Sequence, residues 1–208
     1  MTRKTFLAFL PFCLLLGETA ILPPGNLHIE DVPPIPSGLM EELAHYNDIR
    51  AASLLDWHPA KREMLISTRF GDVPQIHRVA MPGGARTQLT FFSDRTGGAL
   101  FRPGAGDSFV FSKDTGGGEF YQLYRFDASS SAITLLTDGH SRNTGTLWSR
   151  DGRLLAYSST FRNGRDTDIW VMDPDQPKSA RRVLEVEGGG WFVARREADR
   201  CRRPALGA

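Results

Sequence analysis

Between residues 51 and 193 the chain alternates short apolar runs with polar, glycine-bearing turns. The stretch from Leu147 to Asp173 shows the pattern best. Leu147-Trp148 closes one run, 154–158 forms a second and 169–172 a third. Asp151-Gly152 separates the first two, and Asn163-Gly164 precedes the third. Such dipeptides between β-type runs mark tight hairpins, because glycine takes the positive φ that the turn requires. The reading is an antiparallel meander, and it occurs three times. The first unit predicts strands at 53–57, 64–68, 76–80 and 87–90. The second predicts them at 99–101, 109–112, 122–127 and 133–136, and the third at 146–148, 154–159, 168–172 and 182–185. Trp57, Phe101 and Trp148 close the first strand of their units.

A four-stranded unit that returns at about 40–50 residues is the signature of a β-propeller blade. The expected fold class is therefore all-β: a partial β-propeller of three four-stranded antiparallel blades near 51–90, 99–137 and 146–186, spanning 51–193. Gly190-Trp191-Phe192-Val193 reads as the start of a fourth. The aromatic residue that closes each first strand is expected to be buried between neighbouring blades, since large rings dominate cores.

A different pattern precedes the repeats. Arg3 and Lys4 lead into an apolar run from Phe6 to Gly17, shorter than the roughly 20 residues that span a bilayer. Residues 1–20 read as a secretory signal peptide with Thr19-Ala20 at the cleavage edge. An uncleaved membrane anchor is the other reading. Pro23-Pro24-Gly25 and Pro33-Pro34-Ile35-Pro36 make the start of the 21–50 segment an extended linker. Ser37 is then the expected N-cap of one short helix at 39–46. Its stripe of Leu39, Met40, Leu43, Ala44 and Tyr46 is expected to pack on the start of the β region.

Composition narrows the partners. The net charge of +1 provides no field for nucleic acid or an anionic bilayer. The expected partner is a peptide or protein, with no nucleic acid, and with membrane contact only through the leader if it is retained. Thirteen prolines and 21 glycines fit a turn-rich β chain. Of the two cysteines, Cys13 falls in the leader, so only Cys201 would remain and no internal disulfide could form. This suits a bacterial periplasmic or secreted protein better than a disulfide-stapled domain.

Several strings resemble known blades. Trp148-Ser149-Arg150-Asp151-Gly152, Leu155-Ala156-Tyr157-Ser158-Ser159 and Asp168-Ile169-Trp170-Val171-Met172-Asp173 resemble the motif of TolB-like, WD-repeat-related propellers, with Arg150 where that motif carries proline. Leu55-Asp56-Trp57-His58-Pro59, the 66–72 and 88–92 strings, and Glu119-Phe120-Tyr121-Gln122-Leu123-Tyr124 resemble the N-terminal propeller of bacterial prolyl-oligopeptidase-family serine peptidases. The resemblance covers residues 33–193. It implies the N-terminal propeller of a secreted peptidase of dipeptidyl- or acylaminoacyl-peptidase type, gating or orienting peptide for a catalytic domain that this chain lacks. The alternative is a non-catalytic TolB-like propeller acting as a protein-binding module.

That family's nucleophile sits on a Gly-x-Ser-x-Gly elbow, which has no match. Gly139-His140-Ser141-Arg142-Asn143 lacks the last glycine and falls in an interblade loop. His140 next to Ser141 reads as a turn, not as a catalytic pair. Glu41-Glu42 resembles the paired glutamate of the dipeptidyl-peptidase branch but falls on the leading helix, where a solvated face is expected. His28, His45, His58, His77 and His140 show no ligand spacing. Asp166 and Asp168 beside Asn163-Gly164 read as turn residues in preference to calcium ligands. Gly116-Gly117-Gly118 and Gly188-Gly189-Gly190 lack the lysine and helix of a phosphate loop. No catalytic residue, cofactor or metal site is expected in this chain.

Residues 194–208 carry five arginines and no β alternation. Closed propellers have at least about four blades. The tail is therefore read as the product of a frameshift or misplaced stop that replaced further blades, with a natural basic tail as the other reading.

Overall fold

The computed structural model describes residues 28–47, 49–185 and 187–194. The expected leader at 1–20 and the tail beyond Ala194 lie outside the described residues. The chain divides into two compact units, one ending at Ile49 and the other starting at Arg50.

The first unit carries α1, Ser37–Asn47. Ser37 is its first helical residue instead of the cap before it, and the Leu39 N–H bonds the Pro36 carbonyl at 3.2 Å. No residue of α1 is buried, and Leu39, Met40, Leu43 and Tyr46 are exposed. Gly38, Glu41, Glu42 and His45 interrupt the stripe, and so short a band offers little area to drive burial.

The second unit is all-β, three four-stranded antiparallel sheets in meander order. The first blade holds β1 (Ala52–Trp57), β2 (Met64–Thr68), β3 (Gln75–Val79) and β4 (Arg86–Gln88). The second holds β5 (Thr96–Phe101), β6 (Ser108–Lys113), β7 (Gln122–Asp127) and β8 (Ile133–Leu135). The third holds β9 (Asn143–Trp148), β10 (Leu155–Ser159), β11 (Asp168–Asp173) and β12 (Gln176–Leu184). Register makes the units equivalent residue by residue. Trp57 pairs with Met64, Phe101 with Phe109 and Trp148 with Leu155. Each first strand also slips register against its neighbour through a bulge. In the second and third blades Gly98 and Gly145 sit there at positive φ, a conformation that suits glycine.

β3 and β12 end at Val79 and Leu184, just short of the predicted 80 and 185, and two more strands end early at a threonine. β4 stops at Gln88 and β8 at Leu135, because a threonine hydroxyl takes over the ladder. Ile76 N–H donates to the Thr90 hydroxyl at 2.9 Å, and Leu123 N–H to the Thr137 hydroxyl at 3.1 Å. β12 begins at Gln176, ahead of the predicted 182.

The blades join through two apolar clusters. Leu65 and Ile76 of the first blade meet Ala99, Phe101, Phe109, Phe111 and Phe126 of the second. Val110, Leu123 and Leu136 of the second meet Trp148, Leu155, Tyr157 and Met172 of the third. β6 is buried on both faces for all but one residue, since the middle blade has neighbours on each side. Directed hydrogen bonds cross the same joints. The Asp56 carboxylate accepts the Phe101 N–H at 2.9 Å, and the Trp148 indole N–H donates to the Leu100 carbonyl at 3.2 Å.

Phe101 and Trp148 are 7% and 5% exposed, as expected, but Trp57 is 46% exposed. The register explains the correction. Each such ring packs against the preceding blade, and among the described residues no blade precedes Trp57. The carbonyl just before each third strand seats the next inner strand. Thr96 N–H bonds Pro74 O at 3.2 Å, Asn143 N–H bonds Tyr121 O at 3.1 Å, and Trp191 N–H bonds Thr167 O at 3.1 Å. Thr167 and Gly190 form a parallel bridge, so Gly190-Trp191 takes the place at which a fourth inner strand would begin.

Candidate functional site

Antiparallel order puts the turns β2–β3, β6–β7 and β10–β11 at the same end of their blades as the segments that lead to the next blade. Buried polar side chains gather at this end. Gln75, at the head of β3, donates to the carbonyls of Phe92 and Asp94 at 3.1 and 2.9 Å and accepts the Phe92 N–H at 3.1 Å. Gln122, its counterpart on β7, donates to Ser141 O at 2.7 Å. It accepts from the Thr137 hydroxyl at 2.7 Å and the Gly139 N–H at 2.9 Å. Asp168 holds the same position on β11 and accepts from Arg162 at 2.7 Å, with Arg182 at 3.6 Å. A buried carboxylate needs such partners to stay ionised.

Charge is neutralised within this end. Lys113, buried at the end of β6, places Nζ 3.1 Å from Asp94, 2.9 Å from Asp114 O and 5.2 Å from the centre of the Phe92 ring. The Gly116 N–H and then Lys113 hold the Asp94 carboxyl below its ordinary range. Asp166 accepts from Asn163 at 2.8 Å and lies 3.4 Å from Arg162. Guanidinium groups thus occupy the places beside Asp166 and Asp168 that a cation would take. Among the described residues no group of three or more acidic, histidine or cysteine side chains could hold a metal ion.

Ser141 donates to the Asp138 carboxylate at 2.5 Å, and the Ser141 N–H also bonds it, so the serine belongs to an Asp-headed turn. Burial alone would raise the Asp138 pKa; the hydrogen bonds from Ser141 and His140 outweigh it and hold the carboxyl below its ordinary range. His140 is exposed. His58 is buried edge-on to Phe101 at 4.9 Å and accepts the N–H groups of Ala60 and Lys61, a structural role. His77 is buried beside Phe70, where desolvation lowers its pKa and keeps the ring neutral. Glu41 and Glu42 lie exposed on α1, outside any blade.

Next to this polar end a cavity of about 430 Å³ opens between the second and third blades. Leu136, Thr137 and Asp138 form one wall, and Tyr157, Ser159 and Trp170 the other. The exposed Phe161, edge-on to Trp170 at 5.2 Å, and Lys178 also line it. Burial first, and then the Asp138 charge, push the Tyr157 phenol well up, so it stays protonated. The Trp170 indole N–H is buried with no acceptor. Reading the residues in order did not find this cavity. The signal available was the alignment of Leu89-Thr90 with Leu136-Thr137, which sets Phe92 against Gly139.

Comparison with known proteins places this architecture. No family model matches the chain. TolB of Acinetobacter baumannii superposes with a TM-score of 0.52 at 21% identity, over 66% of this chain and 33% of that one. The fold is that of a β-propeller. A putative TolB of Agrobacterium tumefaciens gives 0.51 at 24% identity, over 62% of this chain and 45% of its own. A prolyl endopeptidase gives 0.54 at 12% identity, over 67% and 23%. In sequence, an uncharacterised protein of Agrobacterium fabrum is 34% identical over 74 residues, 36% of this chain and 24% of that one. The chain therefore spans less than half the length of each of these proteins. At such identities the solved structures speak for the fold. Among the described residues no helix is long and apolar enough to cross a membrane.

Proposed function

We propose that this propeller segment is a non-catalytic binding module for peptide or protein, exported to the periplasm or beyond by the leader at 1–20. The observation that carries this reading is the loop end itself. Its charged groups are paired with one another, its one serine near a histidine is bound to Asp138, and an aromatic-lined cavity lies beside it. That combination suits recognition better than bond cleavage. A second reading has the same segment orient peptide for a prolyl-oligopeptidase-type catalytic domain encoded outside residues 1–208. The strings at 55–59, 66–72 and 88–92 favour it, as does the fold shared with a prolyl endopeptidase.

The test is fluorescence anisotropy with a panel of labelled blocked oligopeptides, with proline and aromatic positions varied, run beside chromogenic dipeptide cleavage. The expected result is saturable binding without turnover, unchanged in Ser141→Ala. Turnover lost in Ser141→Ala would overturn the non-catalytic assignment. Absence of binding across the panel would overturn the peptide reading. Reading the DNA beyond codon 193 in all frames separates the two versions: further blades followed by a Gly-x-Ser-x-Gly elbow favour the peptidase.

A further inference from the structure

At the loop end the two joints between blades share three hydrogen bonds and differ at the place of the Phe92 ring. In the first, Leu89 N–H bonds Ile76 O at 2.9 Å, Ile76 N–H bonds the Thr90 hydroxyl at 2.9 Å, and Phe92 N–H bonds Gln75 Oε1 at 3.1 Å. In the second, Leu136 N–H bonds Leu123 O at 2.8 Å, Leu123 N–H bonds the Thr137 hydroxyl at 3.1 Å, and Gly139 N–H bonds Gln122 Oε1 at 2.9 Å. Phe92 and Gly139 therefore hold the same place.

The Phe92 ring lies 6.1 Å from the rings of Phe111 and Tyr124 and 5.2 Å from Lys113 Nζ. In the third blade the register gives those three places to Tyr157, Trp170 and Ser159. All three line the cavity. The cavity thus lies where the first joint holds an aromatic side chain, and Gly139 has none to supply. At about 430 Å³ it falls within the range of small-ligand pockets. The Trp170 indole N–H is itself fully buried and out of reach of an occupant.

We propose that this cavity binds an aromatic ring. The ring packs against Tyr157 and Trp170 as Phe92 packs against Phe111 and Tyr124. A phenol carries such a ring. It arrives either as a free small molecule or as a tyrosine side chain, and only the second source rests on the peptide-binding reading.

The experiment is calorimetric titration of the 208-residue chain with p-cresol, toluene and a blocked Ala-Tyr-Ala peptide. One p-cresol is expected per chain. Toluene, which carries the same ring without the hydroxyl, binds comparably. Trp170→Ala, which removes one of the two packing rings, weakens both about fivefold, the worth of one ring contact. Ala180→Phe, which fills the cavity from the outer strand, abolishes both, with near-ultraviolet circular dichroism showing that the variant is folded. Absence of saturable p-cresol binding, or binding that survives in folded Ala180→Phe, overturns the proposal. Binding of p-cresol without the peptide keeps the site and assigns it to free phenols, against the peptide reading. If p-cresol fails, the site falls while the peptide panel still decides the other reading on its own.

Discussion

Between the first and second blades the rings of Phe92, Phe101, Phe109, Phe111, Tyr124 and Phe126 pack upon one another, with Phe109 and Phe126 stacked at 4.7 Å and Phe111 and Tyr124 at 5.4 Å. Between the second and third, Trp148, Tyr157 and Trp170 meet aliphatic side chains and leave about 430 Å³ unfilled. Three hydrogen bonds at the loop end correspond across the two joints, so the frame there is shared. Within it Phe92 closes one gap and Gly139 leaves the other open. The blade frame is held by polar locks that tolerate either outcome. Packing around it is free to become a seal in one joint and a pocket in the next.

The strongest way to test that contrast is to truncate equivalent rings. Phe111→Ala empties a fully packed place and is expected to cost about 4 kcal/mol, within the range for buried phenylalanine. Tyr157→Ala, at the same position in the third blade, is expected to cost about 2 kcal/mol, because the cavity already takes contacts from one side of the ring. Urea titration of both variants provides the comparison. Equal losses would mean that the second joint closes up in solution.

Phe92→Ala converts the first joint towards the second. The half-buried ring should cost about 2 kcal/mol of stability, and the variant should gain a second p-cresol site in calorimetry. A stability loss with no new site would show that the first joint collapses where the second does not.

Asp175, on the turn after β11, reaches across only the second joint, to Arg102 at 3.0 Å and to Arg125. Asp175→Asn is expected to lower stability by about 1 kcal/mol, the upper range for partly exposed pairs. The effect should fade in 1 M salt, and the first joint, followed by amide exchange of Leu65 and Ile76, should be unaffected.

The smallest effect is titration. Asp94 in the first joint and Asp138 in the second both have folded pKa values below the ordinary carboxylate value of about 4. Their contribution is present above that unfolded value and is lost as pH falls through the lower folded one. The urea midpoint should therefore drop between pH 5 and pH 3, and less steeply in Asp94→Asn and Asp138→Asn. An unchanged slope in both variants would remove these carboxylates from the acid limb.

Strand order and the count of three blades were legible from local chemistry: hairpin dipeptides, alternating positions and the aromatic that closes each first strand. Strand ends were less so, because Thr90 and Thr137 continue the ladder through hydroxyls, which an apolar pattern reads as strand. Trp57 was misread for a physical reason. Its identity matches Trp148, but burial depends on a neighbour, and nothing within a repeat says which unit lacks one. The cavity was invisible because it is an absence, a glycine where the matching loop has a phenylalanine. It emerges only when hydrogen-bond partners align the loops through space.

The seat that each blade offers at the carbonyl preceding its third strand carries a consequence for biosynthesis. Pro74, Tyr121 and Thr167 are in place once their own blade has formed, and each receives the first residues of the segment next to leave the ribosome. Growth is therefore vectorial. Every new strand finds its dock among residues synthesised shortly before, so closing the loop to reach it costs little entropy. A nascent chain built this way adds blades one at a time and need not wait for its far end before it begins to fold.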